Sequence, residues 1–366
     1  MNEEASELQA QPQGQEQRFR IDRTIWCFII FALIGVGIFL AKEYDAFPEA
    51  SIDLKLSKNE VASISRDWAY KLGFRKDHLI QSTTFLWDDN AKTYLEMEMG
   101  GKRANELMQK EIPIWYWRTR LVKEFDQEQF QGYISPLGEL ICCQFAIEND
   151  KALPSISQDE ARAMASNFVE HEAKVPLSDY TLVQSSTDKL PHRSDHSFIW
   201  EDRKHPYKEA HMRIYVGVSG NSISEYYRYL YVPETWQRKF NTIRSYNSLL
   251  AQIAFVFNSF LYLAATFIVI WGVNAKIIRW RMGALIALAV TVGVGLLAWN
   301  NLPSIIDHYP PKTAFKAYLI NYVVTTLGSC IAAGIVSSLL VMAGEAMYRI
   351  TYPKKIAFEN YFKLRS

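Results

Sequence analysis

Several chemistries lack their residues in this chain. Its four cysteines are scattered over 366 residues. None forms a Cys-x-x-Cys pair, which removes the usual zinc ribbon and dithiol redox motifs. There is no His-Glu-x-x-His, since His171-Glu172 has no second histidine at the right distance, and no Gly-rich phosphate loop or Gly-x-Ser-x-Gly elbow. Charge of one sign is also missing: 40 basic and 39 acidic residues leave a net charge of +1. With no basic stripe interleaved with aromatics in the polar part, a nucleic-acid partner is excluded.

What the chain does have is segregated hydrophobicity. Apolar runs nearly free of charge sit at both ends, and a polar middle, residues 42–245, separates them. The first run, Thr24 to Ala41, follows Arg18, Arg20 and Arg23 and precedes Lys42, Glu43 and Asp45. It is long enough to cross roughly 30 Å of hydrocarbon as a helix. It also exceeds the apolar core of a signal peptide, roughly 7 to 15 residues, and no small-x-small cleavage site follows, so an uncleaved anchor is expected. Residues 248–273, 282–299 and 317–343 form three more runs of spanning length, with Tyr246, Trp271, Trp280, Trp299, Tyr318 and Tyr348 near their ends.

Basic residues in short loops set the expected orientation. Arg18, Arg20 and Arg23, then Lys276, Arg279 and Arg281, then Arg349, Lys354, Lys355, Lys363 and Arg365 fall on one side if all four runs span. Both termini, residues 1–23 and 344–366, are thus expected in the cytoplasm, with the chain in the cell (inner) membrane. Residues 42–245 and the loop "NNLPSIIDHYPPKTAFK" are expected outside. Arg238, Lys239 and Arg244 weaken this bias without reversing it. Cys142 and Cys143 are neighbours in an expected strand and read as free thiols, with no disulfide framework.

The outer region contains a repeat. "SKNEVASISRDWAYKLGF" at Ser57 has a counterpart, "SQDEARAMASNFVEHEAK", at Ser157. Both open on a capping box, Ser57 with Glu60 and Ser157 with Glu160. Apolar residues follow at helical spacing: Val61, Ile64, Trp68 and Leu72, then Ala161, Met164, Phe168 and Val169. After a linker each helix leads to β-formers that turn at a glycine, Gly138 in "SPLGEL" or Gly220 in "VSGNSI", where positive φ is expected. The expected fold is α+β outside the membrane, with one repeat in residues 42–149 and another in 150–245, plus four transmembrane helices.

The second copy resembles the PepSY domain. The residues that carry the likeness are "DEARAMA", Asp159 to Ala165, and the hairpin "YVGVSGNSI", Tyr215 to Ile223. The first copy matches loosely, with Val61 and Ala62 at its start. The resemblance implies an extracytoplasmic binding or inhibitory module that accompanies peptidases and is not itself catalytic.

No metal or cofactor site is expected. His192 and His196 stand four apart, with His205 further on, but Pro191 and the polar neighbours indicate solvated loop histidines. Tyr226, Tyr227, Tyr229, Tyr231 and Trp236 are the candidate peptide-binding surface, an edge to which an extended partner could add a strand. The competing reading assigns alternate tyrosines to the buried face of the sheet.

Glu345 and Arg349, in "GEAMYR", are the remaining catalytic candidates. Their spacing is similar to the glutamate and arginine of the CPBP family of intramembrane metalloproteases. That family has two adjacent glutamates and two later histidine motifs. Here Gly344 replaces the first glutamate and no histidine follows His308. The pair therefore reads as a helix end, with Arg349, Lys354 and Lys355 at the boundary.

The layout as a whole, with "WED" at Trp200, "VPETW" at Val232 and "AGEAMYRITYPKK" at Ala343, resembles the N-terminal part of large bacterial CPBP proteins. This implies a non-catalytic relative or a truncated or split protease. The expected partners are the lipid bilayer and a membrane protease or a peptide. A transporter subunit is the third reading, if Asn321, Thr325, Thr326, Ser329, Ser337 and Ser338 face a partner helix, with Gly328, Ala332 and Gly334 permitting close packing.

Overall fold

The structure, a computed structural model, describes residues 23–46 and 52–352. The basic residues Arg18, Arg20, Lys354, Lys355, Lys363 and Arg365 lie outside the described residues. The chain divides into two units, residues 1–52 and 53–366. Among the described residues the first holds one helix, α1 (Arg23–Ala46). Its 24 residues reach about 36 Å, and Trp26–Glu43 is apolar enough to cross a membrane.

The second unit begins with α2 (Lys58–Lys71), β1 (Ile80–Trp87), α3 (Asp89–Met99), α4 (Gly101–Lys110), β2 (Trp115–Val122), β3 (Gln129–Ile134) and β4 (Leu140–Ala146). A second helix-and-strands series follows: α5 (Gln158–Asn167), β5 (Tyr180–Leu190), β6 (Arg193–Asp202), β7 (His211–Ser219) and β8 (Ser222–Tyr231). The strands make one antiparallel sheet in the order β1-β2-β3-β4-β8-β7-β6-β5. Each series is a capped helix followed by four antiparallel strands in order, with α3 and α4 inserted between β1 and β2 in the first, and the last strands of the two series pair at the centre.

Both helices start as their sequences dictate. The Ser57 amide donates to Glu60 Oε2 at 2.8 Å and the Glu60 amide to Ser57 Oγ at 3.4 Å, and Ser157 and Glu160 repeat this at 2.9 and 3.3 Å. The helices bury Val61, Ala69, Ala161 and Ala165 against one face of the sheet, in a core shared with Phe130, Phe145, Phe198, Ile214 and Val216. Trp68 meets Phe168 edge-on at 6.0 Å. The hairpins turn at Gly138 and Gly220, with φ of 97° and 59°, positive values that glycine adopts at least cost.

Two strands lie where the sequence shows only linkers. β1 and β5 are the sheet's outer strands, and each alternates poorly because it has one neighbour and many polar side chains. His192 and His196 are not both in a loop: His192 occupies the β5–β6 turn, while His196 is a buried residue of β6. There its ring bonds Thr187 Oγ1 at 2.9 Å and the Ile156 carbonyl at 3.0 Å, partners that sequence spacing does not disclose.

Three further helices are apolar enough to cross a membrane: α6 (Glu234–Asn274), α7 (Trp280–Asn300) and, after a short α8 (Leu302–Asp307), α9 (Phe315–Thr351). At 41 residues α6 is about 60 Å long, roughly twice the hydrocarbon thickness, so its polar first turns continue beyond the apolar run. Ala265 and Val269 of α6 pack with Met342 and Ala343 of α9. α9 presses on α7 at Gly334, where a Cβ would fall 2.5 Å from the Ala287 carbonyl oxygen. Gly328, by contrast, faces open space. Thr325 and Ser329 donate to carbonyls one turn back in their own helix.

Candidate functional site

Strand alternation distributes the tyrosines of β8 between two faces. Tyr226 points to the helix side, fully buried, with its ring 5.6 Å from Phe168 and its hydroxyl without a partner. Tyr227, Tyr229 and Tyr231 lie on the opposite face, all partly exposed. The strand itself is interior: Tyr227 pairs with Cys142 of β4 and with Tyr215 of β7. β8 has β4 and β7 as neighbours, so the sheet-edge reading of its tyrosines does not hold, while the reading that sends alternate tyrosines to the buried face does. Its outward tyrosines offer a face.

Register extends that face across the seam between the halves. Tyr215 stacks edge-on with Tyr227 at 5.6 Å, and Tyr116 tilts against Tyr133 at 5.1 Å. Cys142, in register with both Tyr133 and Tyr227, lies between these pairs. Arg213 lies over the ring of Tyr231 at 3.4 Å, while its Nη2 pairs with Glu201 at 2.6 Å. The result is an aromatic surface edged by guanidinium groups, a combination suited to gripping side chains and carbonyls.

Burial raises the phenols of this layer above their ordinary value. For Tyr215, desolvation followed by the neighbouring Glu225 carboxylate pushes the pKa to about 12. Tyr116 and Tyr227 move in the same direction, again chiefly by desolvation. All three therefore act as neutral donors over the physiological range. Cys142 and Cys143 are raised too, first by burial, so neither is a ready nucleophile.

At its β1 edge the face meets α8. The buried carboxylate of Asp307 accepts from Arg118 Nη2 and, at 2.8 Å, from Ser82 Oγ. Arg120 Nη1 donates to the carbonyls of Asp307 and Tyr309, both at 2.7 Å. The Phe125 amide reaches the Pro311 carbonyl at 2.8 Å. These contacts tie the β1–β3 side of the sheet to the α7–α9 connection. Arg118 Nε and Thr84 Oγ1, opposite each other in register, have no hydrogen-bond partner. The i, i+2 spacing of Arg118 and Arg120 in "WRTRLV" could have signalled a shared face; nothing local marks Asp307 as their acceptor.

Trp236 is separate from the tyrosine face. The chain leaves β8 at Pro233, and the Trp236 ring stacks on Phe240 at 5.2 Å and meets Tyr94 of α3 at 5.1 Å. Its Nε1 donates to Glu98 at 3.0 Å, which also takes Lys208 Nζ at 2.9 Å. Trp236 thus braces the start of α6 against α3.

Glu345 and Arg349 lie within α9, which continues to Thr351. Glu345 is 9% exposed, and Arg349 Nε stands 3.6 Å from its Oε1. Arg349 Nη2 donates to the Ile277 carbonyl in the α6–α7 connection. Among the described residues no three His, Cys, Asp or Glu side chains converge as metal donors. Comparison with known proteins finds no matching family model, curated protein or solved structure.

Proposed function

We propose that this chain is a membrane-anchored binding or regulatory module, not itself catalytic, that displays its sheet outside the cytoplasm. Its tyrosine face takes a peptide, free or presented by an intramembrane or envelope protease. The observation that carries this reading is the union of two features on one surface. Partly exposed phenol rings are edged by Arg213 and by Arg118, which keeps an unused Nε donor. Arg118 is at the same time bonded to Asp307, next to the membrane helices. A ligand on this face would press on Tyr133 and Arg118 and so act on the link to α7 and α9. The likeness to PepSY modules and to the N-terminal part of CPBP proteins belongs to the same proposal.

Photo-crosslinking tests it. A benzoylphenylalanine at Tyr227 or Tyr229 is expected to capture a peptide or protease in intact cells, whereas one at Arg162, on α5 across the sheet, captures none. Equal capture at Arg162, or none from the tyrosine face, overturns the assignment. Outward display is tested separately with Lys189→Cys on β5: an impermeant maleimide should label it in spheroplasts, and shielding there rejects the topology.

A further inference from the structure

Where α7 ends its apolar run, the chain folds directly into α8 and against the sheet. A cleft of ≈ 280 Å³ lies there, between the start of α2, β1 and the α7–α8 junction. Trp299, in the last turn of α7, is 75% exposed, and Leu302, Pro303 and Ile306 supply the rest of the apolar wall with Ala62. Chain length sets the height of this cleft. Leu302 follows Trp299 by three residues, about 5 Å at the helical rise, and the headgroup zone is about 5–7 Å deep on each side of the hydrocarbon. The cleft therefore opens at the level of the lipid phosphates.

The polar wall is made of donors. Lys58 and Asn59 open α2 and are exposed. Gln81 of β1 joins them; Arg66 Nη1 donates to its Oε1 at 2.7 Å, which leaves its Nε2 for the cleft. Ser82 and Thr83 also line the space, but their hydroxyls are bonded to Asp307 and Thr119. Among the described residues no carboxylate lines the cleft and Lys58 has no ion pair. Glu60, the nearest acid along α2, is turned back on the Ser57 amide, and Asp307 is held by Arg118. One uncompensated cation among neutral donors suits a phosphate diester, whereas the ammonium group of a zwitterionic headgroup finds no partner.

We infer that this cleft seats one anionic phospholipid, phosphatidylglycerol in type, from the leaflet on the side of the sheet. Its phosphate accepts from Lys58, Asn59 and Gln81, and its acyl chains pass Trp299 into the hydrocarbon beside α7. An amphipathic ring at that depth suits the boundary between headgroup and chain. Gln81 pairs with Leu121 of the core, so it lies on the helix side of the sheet, across from the tyrosine face. The lipid site and the peptide site therefore stand or fall separately.

Native mass spectrometry of the full chain, released from detergent micelles with dioleoylphosphatidylglycerol as the probe, provides the test. The chain is expected to retain this lipid about fivefold more tightly than dioleoylphosphatidylethanolamine. Lys58→Gln should abolish that preference, whereas Lys312→Gln, an exposed lysine of the α8–α9 connection outside the cleft, should leave it intact. Asn59→Asp is the second variant. A carboxylate in the first turn favours the helix yet repels a phosphate, so weaker retention there does not arise from unfolding. Equal retention of the two lipids by the parent chain, or an unchanged preference in either Lys58→Gln or Asn59→Asp, overturns the inference. Displacement of the lipid by millimolar inorganic phosphate assigns the cleft to a free phosphate and overturns it as well.

Discussion

Arg118 of β2 and Asp307 of α8 stand 189 residues apart in sequence and form an ion pair whose carboxylate side chain is 1% exposed. The pair joins the sheet to the connection between two apolar helices. Asp307→Ala leaves Arg118 largely buried without its acceptor and is expected to cost about 2–4 kcal/mol, because an unpaired buried charge loses more than the pair itself gained. Hydrogen exchange should accelerate together in Leu302–Asp307 and Ile80–Trp87. Unchanged exchange in either segment would show that the link does not hold them together.

The tyrosine face predicts an alkaline transition. The unfolded chain releases the Tyr215 proton near pH 10.0, whereas the folded chain keeps it to about 12. Stability from this group is therefore complete below pH 10 and is lost as the pH rises from there towards 12. Tyr207, raised to about 12 by burial and by Glu111, adds in the same sense. Melting temperatures followed from pH 9 to 12 should fall less steeply in Tyr215→Phe than in the parent chain. Absorbance at 295 nm reports the ionisation itself.

Cys142 and Cys143 should resist modification. Both are buried, and burial raises both thiols, so little thiolate exists at neutral pH. In a Cys27→Ser, Cys330→Ser background, Ellman's reagent at pH 8 is expected to find neither thiol until denaturant is added. Prompt reaction of the native chain would contradict the packing of β4.

Gly334 sets how closely α7 and α9 approach. Any side chain there meets the Ala287 carbonyl, which is backbone and cannot rotate away. Gly334→Val is expected to destabilise the helix pair by about 1–3 kcal/mol through overpacking. Gly328→Ala, in open space, should be near neutral. Unfolding in detergent compares the two, and equal losses would refute the close contact.

Legibility differed from element to element for physical reasons. The capping boxes at Ser57 and Ser157 could be read directly, since each is completed within four residues. β2, β3, β4, β6, β7 and β8 showed as alternating β-formers because one face of each is pressed on the helices. β1 and β5 did not, because the ends of a sheet tolerate polar residues on both faces. α3 and α4 sit where the sequence indicates only a linker between helix and strands. Their apolar positions pack at the sheet end around Tyr94, which bonds the Tyr207 carbonyl at 3.0 Å, a contact 113 residues distant.

The candidate site was legible by composition and misplaced in space. "EYYRYLY" announces aromatic density, but sheet order decides that β8 is central, and alternation then sends Tyr226 inward and its neighbours outward. Tyr215 joins them through the β7–β8 hairpin, but Tyr116 and Tyr133 joined only once β4 paired with β8.

By itself the sequence determined the apolar helices, the paired helix starts and the antiparallel hairpins, because spacing and side-chain type act over a few residues. Only tertiary structure decided which strand became the seam, which tyrosines share a surface, and that Asp307 closes on Arg118. Those outcomes depend on contacts between segments far apart along the chain, and no local pattern encodes them.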